Sequence, residues 1–96
     1  MADRKEAEIN FRKALEQAGK LEETAEALQH VYKETFENAM QTVAENWKGE
    51  SASLYLKKGA GLQEDIREMV SELRTIAEDI RRTARRVLDE EMKGGA

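Results

Sequence analysis

Small and apolar residues return at steps of four and three along nearly the whole chain, a spacing that marks long helices packed along a seam. In the first half the row runs Ala7, Phe11, Ala14, Ala18, Leu21, Ala25, Leu28, Tyr32, Thr35 and Ala39. In the second it runs Tyr55, Gly59, Leu62, Ile66, Met69, Leu73, Ile76, Ile80, Thr83 and Val87. The sequence contains no Pro, so no residue of either arm removes a helix hydrogen bond or clashes with the preceding turn. Leu15, Phe36, Met40, Val43 and Trp47 widen the first stripe, and Leu54, Leu56, Val70, Ala77, Ala84 and Leu88 flank the second. Stripes that broad exceed what a seam between two helices buries, so contact with more than one neighbour is expected.

The arms are separated by Asn46-Trp47-Lys48-Gly49-Glu50-Ser51-Ala52, which carries the only Trp. A Gly just past a helix takes up the left-handed conformation that a side chain resists, and Ser51 is placed to accept a hydrogen bond from the amides opening the next helix. The spacing predicts one domain over 1–96, with a first helix over about residues 4–46, a bend at 47–50, a second helix over about 51–91 and a flexible tail at 92–96. Folding back at Gly49 sets the arms antiparallel and places Ala39 opposite Gly59, Phe36 opposite Leu62 and Tyr32 opposite Ile66. One hairpin leaves the flanking rows uncovered. The expected fold is therefore all-α, an antiparallel helix-turn-helix hairpin that dimerises into a four-helix bundle. Its hairpin and dimer core is expected from Phe11, Leu15, Leu21, Leu28, Tyr32, Phe36, Met40, Leu62, Ile66, Met69, Leu73, Ile76, Ile80 and Val87. Gly59 and Gly61 each cost a helix about 1 kcal/mol relative to Ala. Close packing at Gly59 and a tolerated weak spot at Gly61 account for them; a helix opening that moves when a partner binds is the alternative.

Composition narrows the function. With 38% charged and 40% apolar residues, the chain is too apolar for a disordered tail. The formal charge of -4 and pI near 5.1 argue against nucleic acid as a partner, since phosphate contact needs a basic surface. Without Cys there is neither a disulfide nor a thiolate metal site. The first residues pass into mixed charge without an apolar stretch, so no cleavable signal peptide is expected, and no apolar run nears the roughly 20 residues of a membrane span. His30 is the sole His, and one His makes neither a metal site nor a catalytic dyad. The carboxylates mostly stand one turn from a cation, as in Glu78 with Arg82, Arg85 with Asp89 and Arg86 with Glu90, which describes a solvated face. No catalytic residue, metal ligand or cofactor is expected, and no enzyme activity. Arg81, Arg82, Arg85 and Arg86 form one basic cluster. It reads as a salt-bridged surface near a helix C-terminus, or else as a docking patch for an acidic partner.

Trp47-Lys48-Gly49 at mid-chain, between Pro-free heptad arms and continuing into Ser51, Ala52 and Tyr55, resembles the WXG100 (ESAT-6-like) substrates of type VII secretion. The resemblance spans almost the whole chain. It implies a small non-enzymatic protein made in the bacterial cytoplasm and secreted folded as a dimer by a type VII (ESX/Ess-like) system, as effector, adaptor or secretion component. Trp47 and Gly49 would then form part of the export and recognition surface read by the secretion ATPase. Implied partners are a second copy first, or another WXG100-like protein or a larger helical toxin. Many members carry Tyr-x-x-x-Asp/Glu after the second helix, whereas this chain offers Val87-x-x-x-Glu91 and no aromatic after Tyr55. Either that position is degenerate here or a partner supplies the signal. The competing reading is a cytosolic helical adaptor or chaperone that is never exported.

Overall fold

The computed structural model describes residues 3–94. The chain is all-α, with two long helical arms joined by a short turn into a hairpin. Helix α1 spans Arg4–Val31, a π-helical turn spans Tyr32–Phe36, α2 spans Glu37–Asn46 and α3 spans Glu50–Gly94. Asp3 starts the first arm: its Oδ1 accepts the Glu6 N–H at 2.7 Å and its carbonyl accepts the Ala7 N–H at 2.9 Å. An Asp in that place satisfies an amide that lacks a helical partner, and Glu6 adds negative charge at the positive end of the helix. Met92, Lys93 and Gly94, expected in a loose tail, continue α3; Gly95 and Ala96 lie outside the described residues.

The hairpin divides into two compact units, one from the described residues of Met1–Thr24 and Leu73–Ala96, the other from Ala25–Glu72. In the first, Ala7, Ala18 and Ala77 are buried, and Phe11, Ala14, Leu15, Leu21, Leu73, Ile80, Ala84 and Leu88 are half-buried. Arg81 pairs with Glu22 beside them, and the Arg85 guanidinium lies 4.8 Å from the centre of the Phe11 ring. Such a cation over a ring contributes about 0.5–1 kcal/mol at an exposed site.

In the second unit Ala25, Tyr32 and Ala52 are buried, while Leu28, Phe36, Met40, Val43, Leu56, Ile66 and Val70 are half-buried. The Tyr32 and Phe36 rings stack with centres 5.8 Å apart. Gly59 is buried against the first arm: a Cβ there would overlap Met40 Sδ and touch Phe36 Cζ at 3.4 Å. Ala39, expected opposite Gly59, is exposed instead.

That difference has a cause one turn upstream. Within Tyr32–Phe36 the helix widens, and the Glu37 N–H reaches back five residues to the Tyr32 carbonyl. A π-helical turn takes in one residue more than an α-helical one, and each residue is worth about 100° of rotation. From Tyr32 onward the inward row therefore runs through Phe36, Met40 and Val43, while Thr35 and Ala39 face water. Phe36, Met40 and Val43 thus take the places that Thr35, Ala39 and Thr42 would otherwise hold, and each contributes about 25 cal/mol for every Å² removed from water.

Helix α3 also turns a different side inward from the one its sequence row names. Ala52, Leu56, Gly59, Ile66, Val70, Leu73, Ala77, Ile80, Ala84 and Leu88 are buried or half-buried. Tyr55, Leu62, Met69, Ile76 and Val87, which the row had placed on the seam, are between 41% and 50% exposed. Both rows share Gly59, Ile66, Leu73 and Ile80. The row that also contains Ala52, Ala77 and Ala84 is the one turned inward, because small side chains let two helix backbones come close.

Candidate functional site

Helix α2 stops at Asn46 because Trp47 takes an extended backbone, φ -99 and ψ 146, while its N–H still donates to the Val43 carbonyl. Gly49 then adopts φ +87, the one positive φ among the described residues. Its carbonyl accepts the Ser53 N–H at 3.2 Å, so Gly49 itself opens α3. Ser51, expected to cap that helix, lies inside its first turn. Trp47-Lys48-Gly49 is thus the whole connection, and only its Gly sits where a Cβ is strained.

Trp47 and Tyr55 meet edge to face across this connection, ring centres 5.4 Å apart at 89°. Such a pair contributes about 0.5–1.5 kcal/mol beyond the area it buries. Both residues remain 47% exposed, and Leu54 beside them is 51% exposed. Lys58 Nζ stands 5.9 Å from the centre of the Tyr55 ring. The bend therefore presents two aromatic rings, a leucine and a cation to solvent. Nothing in the steps of four and three marks Tyr55 as the partner of Trp47; their separation across a short turn is the signal that does.

Along α3, Tyr55, Leu62, Met69 and Ile76 recur every seven residues and so share one face. In the bend unit the exposed members are Tyr55, Leu62 and Met69. In the other unit Ile76 and Val87 border an open groove of about 480 Å³, lined also by Phe11, Ala14, Ile80, Ala84 and Leu88. Asn10, Asp79 and Glu91 add polar groups to its lining.

The residues named from sequence as the hairpin and dimer core are accordingly found in three settings. Tyr32 is buried; Phe11, Leu15, Leu21, Leu28, Phe36, Met40, Ile66, Leu73 and Ile80 are half-buried; Leu62, Met69, Ile76 and Val87 are exposed. Among the described residues no group meets the Tyr32 hydroxyl at full hydrogen-bond geometry, and Glu37 and Arg67 are the polar side chains that stand near it. Burial pushes its phenol above the ordinary value of 10.0, the nearby Glu37 carboxylate pushes it further, and Arg67 opposes both.

The basic cluster is engaged within the chain. Arg81 pairs with Glu22, Arg82 with Asp79 at 3.2 Å and Arg86 with Glu90 at 3.4 Å, while Arg85 covers Phe11. His30 is exposed. Among the described residues no three His, Cys, Asp or Glu side chains are grouped to hold a metal ion, and no helix is long and apolar enough to cross a membrane.

Residues 7–92 match a family model described as proteins of 100 residues with WXG. No curated protein and no solved structure matches the chain.

Proposed function

The chain belongs to the WXG100 family, and from that premise we propose that it is a helical interaction protein handed folded, as a dimer, to a bacterial type VII secretion system. Members of this family are small, non-enzymatic helical proteins that pair in helical dimers. The observation that carries the dimer is the exposed row on α3. Tyr55, Leu62, Met69 and Ile76 are each close to half exposed on a helix whose other apolar row is already enclosed. A long apolar strip in water marks an interaction surface. A second copy offers a matching strip, so a homodimer assembling as a four-helix bundle is the first reading, and another helical hairpin or a larger helical toxin would use the same face.

The bend supplies the second surface. Trp47 and Gly49 are assigned to export: Gly49 makes the turn and Trp47, propped on Tyr55, offers an aromatic edge to the secretion ATPase. The C-terminal signal of many members is replaced by Val87 and Glu91 on α3. A partner that brings a Tyr-x-x-x-Asp/Glu tail would complete the export surface.

Two measurements test this. Light scattering of the purified chain at micromolar concentration should give twice the monomer mass, and a stable folded monomer would sink the dimer. Comparison of culture supernatants with and without the secretion ATPase should show the protein outside the cell only when the ATPase is present. Retention inside in both cases would favour the cytosolic adaptor.

A further inference from the structure

From Leu28 to the bend the inward row of the first arm is Leu28, Tyr32, Phe36, Met40 and Val43, with three successive steps of four, and the half-exposed Trp47 follows one turn on. An unbroken α-helix cannot keep that row on one face. The twelve residues from Leu28 to Met40 would turn through about 1200°, about a third of a turn past alignment. With one residue absorbed the rotation is about 1100°, within about 20° of three full turns. The π-helical turn Tyr32–Phe36 absorbs that residue, as the bond from the Glu37 N–H to the Tyr32 carbonyl records.

We infer that the Tyr32–Phe36 turn is a positioning element for Trp47: by taking in one extra residue it rotates α2 so that Trp47 leaves the arm on the side that meets Tyr55. The functional weight of this rests on the recognition role proposed for the bend; its geometry does not. Without the extra residue Thr35, Ala39, Thr42 and Asn46 would take the inward row, and Trp47 would lie about 100° further round, away from Tyr55. The phase is registered at two contacts: Met40 over the missing Cβ of Gly59, and Trp47 edge-on to Tyr55. The side-chain amide of Asn38 donates to the Glu34 carbonyl inside the turn, a bond that helps hold the widened backbone.

The test uses two variants of the full chain, deletion of Glu34 and insertion of one Ala after Glu34, with Tyr55→Ala as the reference for a lost contact. Glu34 is exposed, and its deletion leaves the steps from Leu28 to Trp47 alternating between four and three, as a regular α-helix requires. Trp47 is the sole Trp, so emission excited at the long-wavelength edge, where Tyr and Phe do not absorb, reports its surroundings alone. The deletion should keep the parent spectrum. The insertion should shift it to that of Tyr55→Ala and lower the secreted fraction several-fold. A deletion spectrum resembling Tyr55→Ala, or an insertion that leaves the spectrum unchanged, overturns the inference. If the insertion fails to fold by far-ultraviolet dichroism, the deletion decides alone: a parent-like spectrum supports the positioning role and a Tyr55→Ala-like one refutes it. A folded, dimeric insertion variant with a shifted spectrum and undiminished secretion supports the positioning role while refuting the recognition role of the bend.

Discussion

Three glycines occupy three different environments, and substitution by Ala distinguishes them. A Cβ at Gly61 would meet open space, so Gly61→Ala should raise stability by about 1 kcal/mol, the helix cost of a Gly. At Gly59 the far end of Met40 must move aside, so Gly59→Ala should gain less than that or nothing. At Gly49 the positive φ makes Ala strained, at about 1–2 kcal/mol. Thermal melting of all three at matched protein concentration gives the order; equal shifts at Gly59 and Gly61 would contradict the close approach to Met40. Tyr32 adds a pH dependence. Its phenol is raised above 10.0 in the folded chain, so the folded state favours the neutral form. The associated stability is complete below that value and is lost as pH rises through the higher folded value. Denaturant midpoints should therefore fall in strong alkali for the parent and fall less for Tyr32→Phe. The glycine at the bend was legible in the sequence because turn chemistry is local. The partners of Gly59 were not, because they depend on a phase shift more than twenty residues away in the other arm.

At the scale of the helix the same contrast holds. Two arms and a mid-chain bend follow directly from steps of four and three, the absence of Pro and one Trp-x-Gly connection. The π-helical turn does not follow from a row that treats Thr35 and Ala39 as equivalent to Phe36 and Met40. Weighting the row by side-chain size exposes the three consecutive fours. On α3 both candidate rows are periodic, and periodicity alone leaves their roles open. Backbone approach decides, and it favours the row richer in Ala. Leu73 and Ile76 separate the two faces. Leu73 belongs to the inward row, so Leu73→Ala should cost about 2 kcal/mol or more through lost contact and the cavity left behind. Ile76 is 48% exposed, so Ile76→Ala should change the hairpin itself little and act by weakening association. Chemical denaturation at low and high concentration, with sedimentation of both variants, checks this: Ile76→Ala should match the parent when both are diluted to monomers.

For the whole molecule the informative substitution is Trp47→Ala. With 47% of the residue already in water, its removal should forfeit chiefly the edge contact to Tyr55, about 0.5–1.5 kcal/mol. Helicity and dimer mass should persist while the secreted fraction drops far more than the folded fraction. Normal secretion from the folded variant would refute a recognition role for the ring, and a loss of about 3–5 kcal/mol would make it a buried plug instead. One property of the enclosed residues reaches further. Among the described residues five of the six buried apolar ones are Ala, and the larger side chains other than Tyr32 keep part of their surface open. The heat capacity of unfolding grows with the apolar area released to water. A lone chain should therefore show a small heat-capacity step and a broad calorimetric transition, and the dimer a larger step. Under the proposed pairing association is concentration-dependent, so the melting temperature should depend on how much protein is present and should fall on dilution alone.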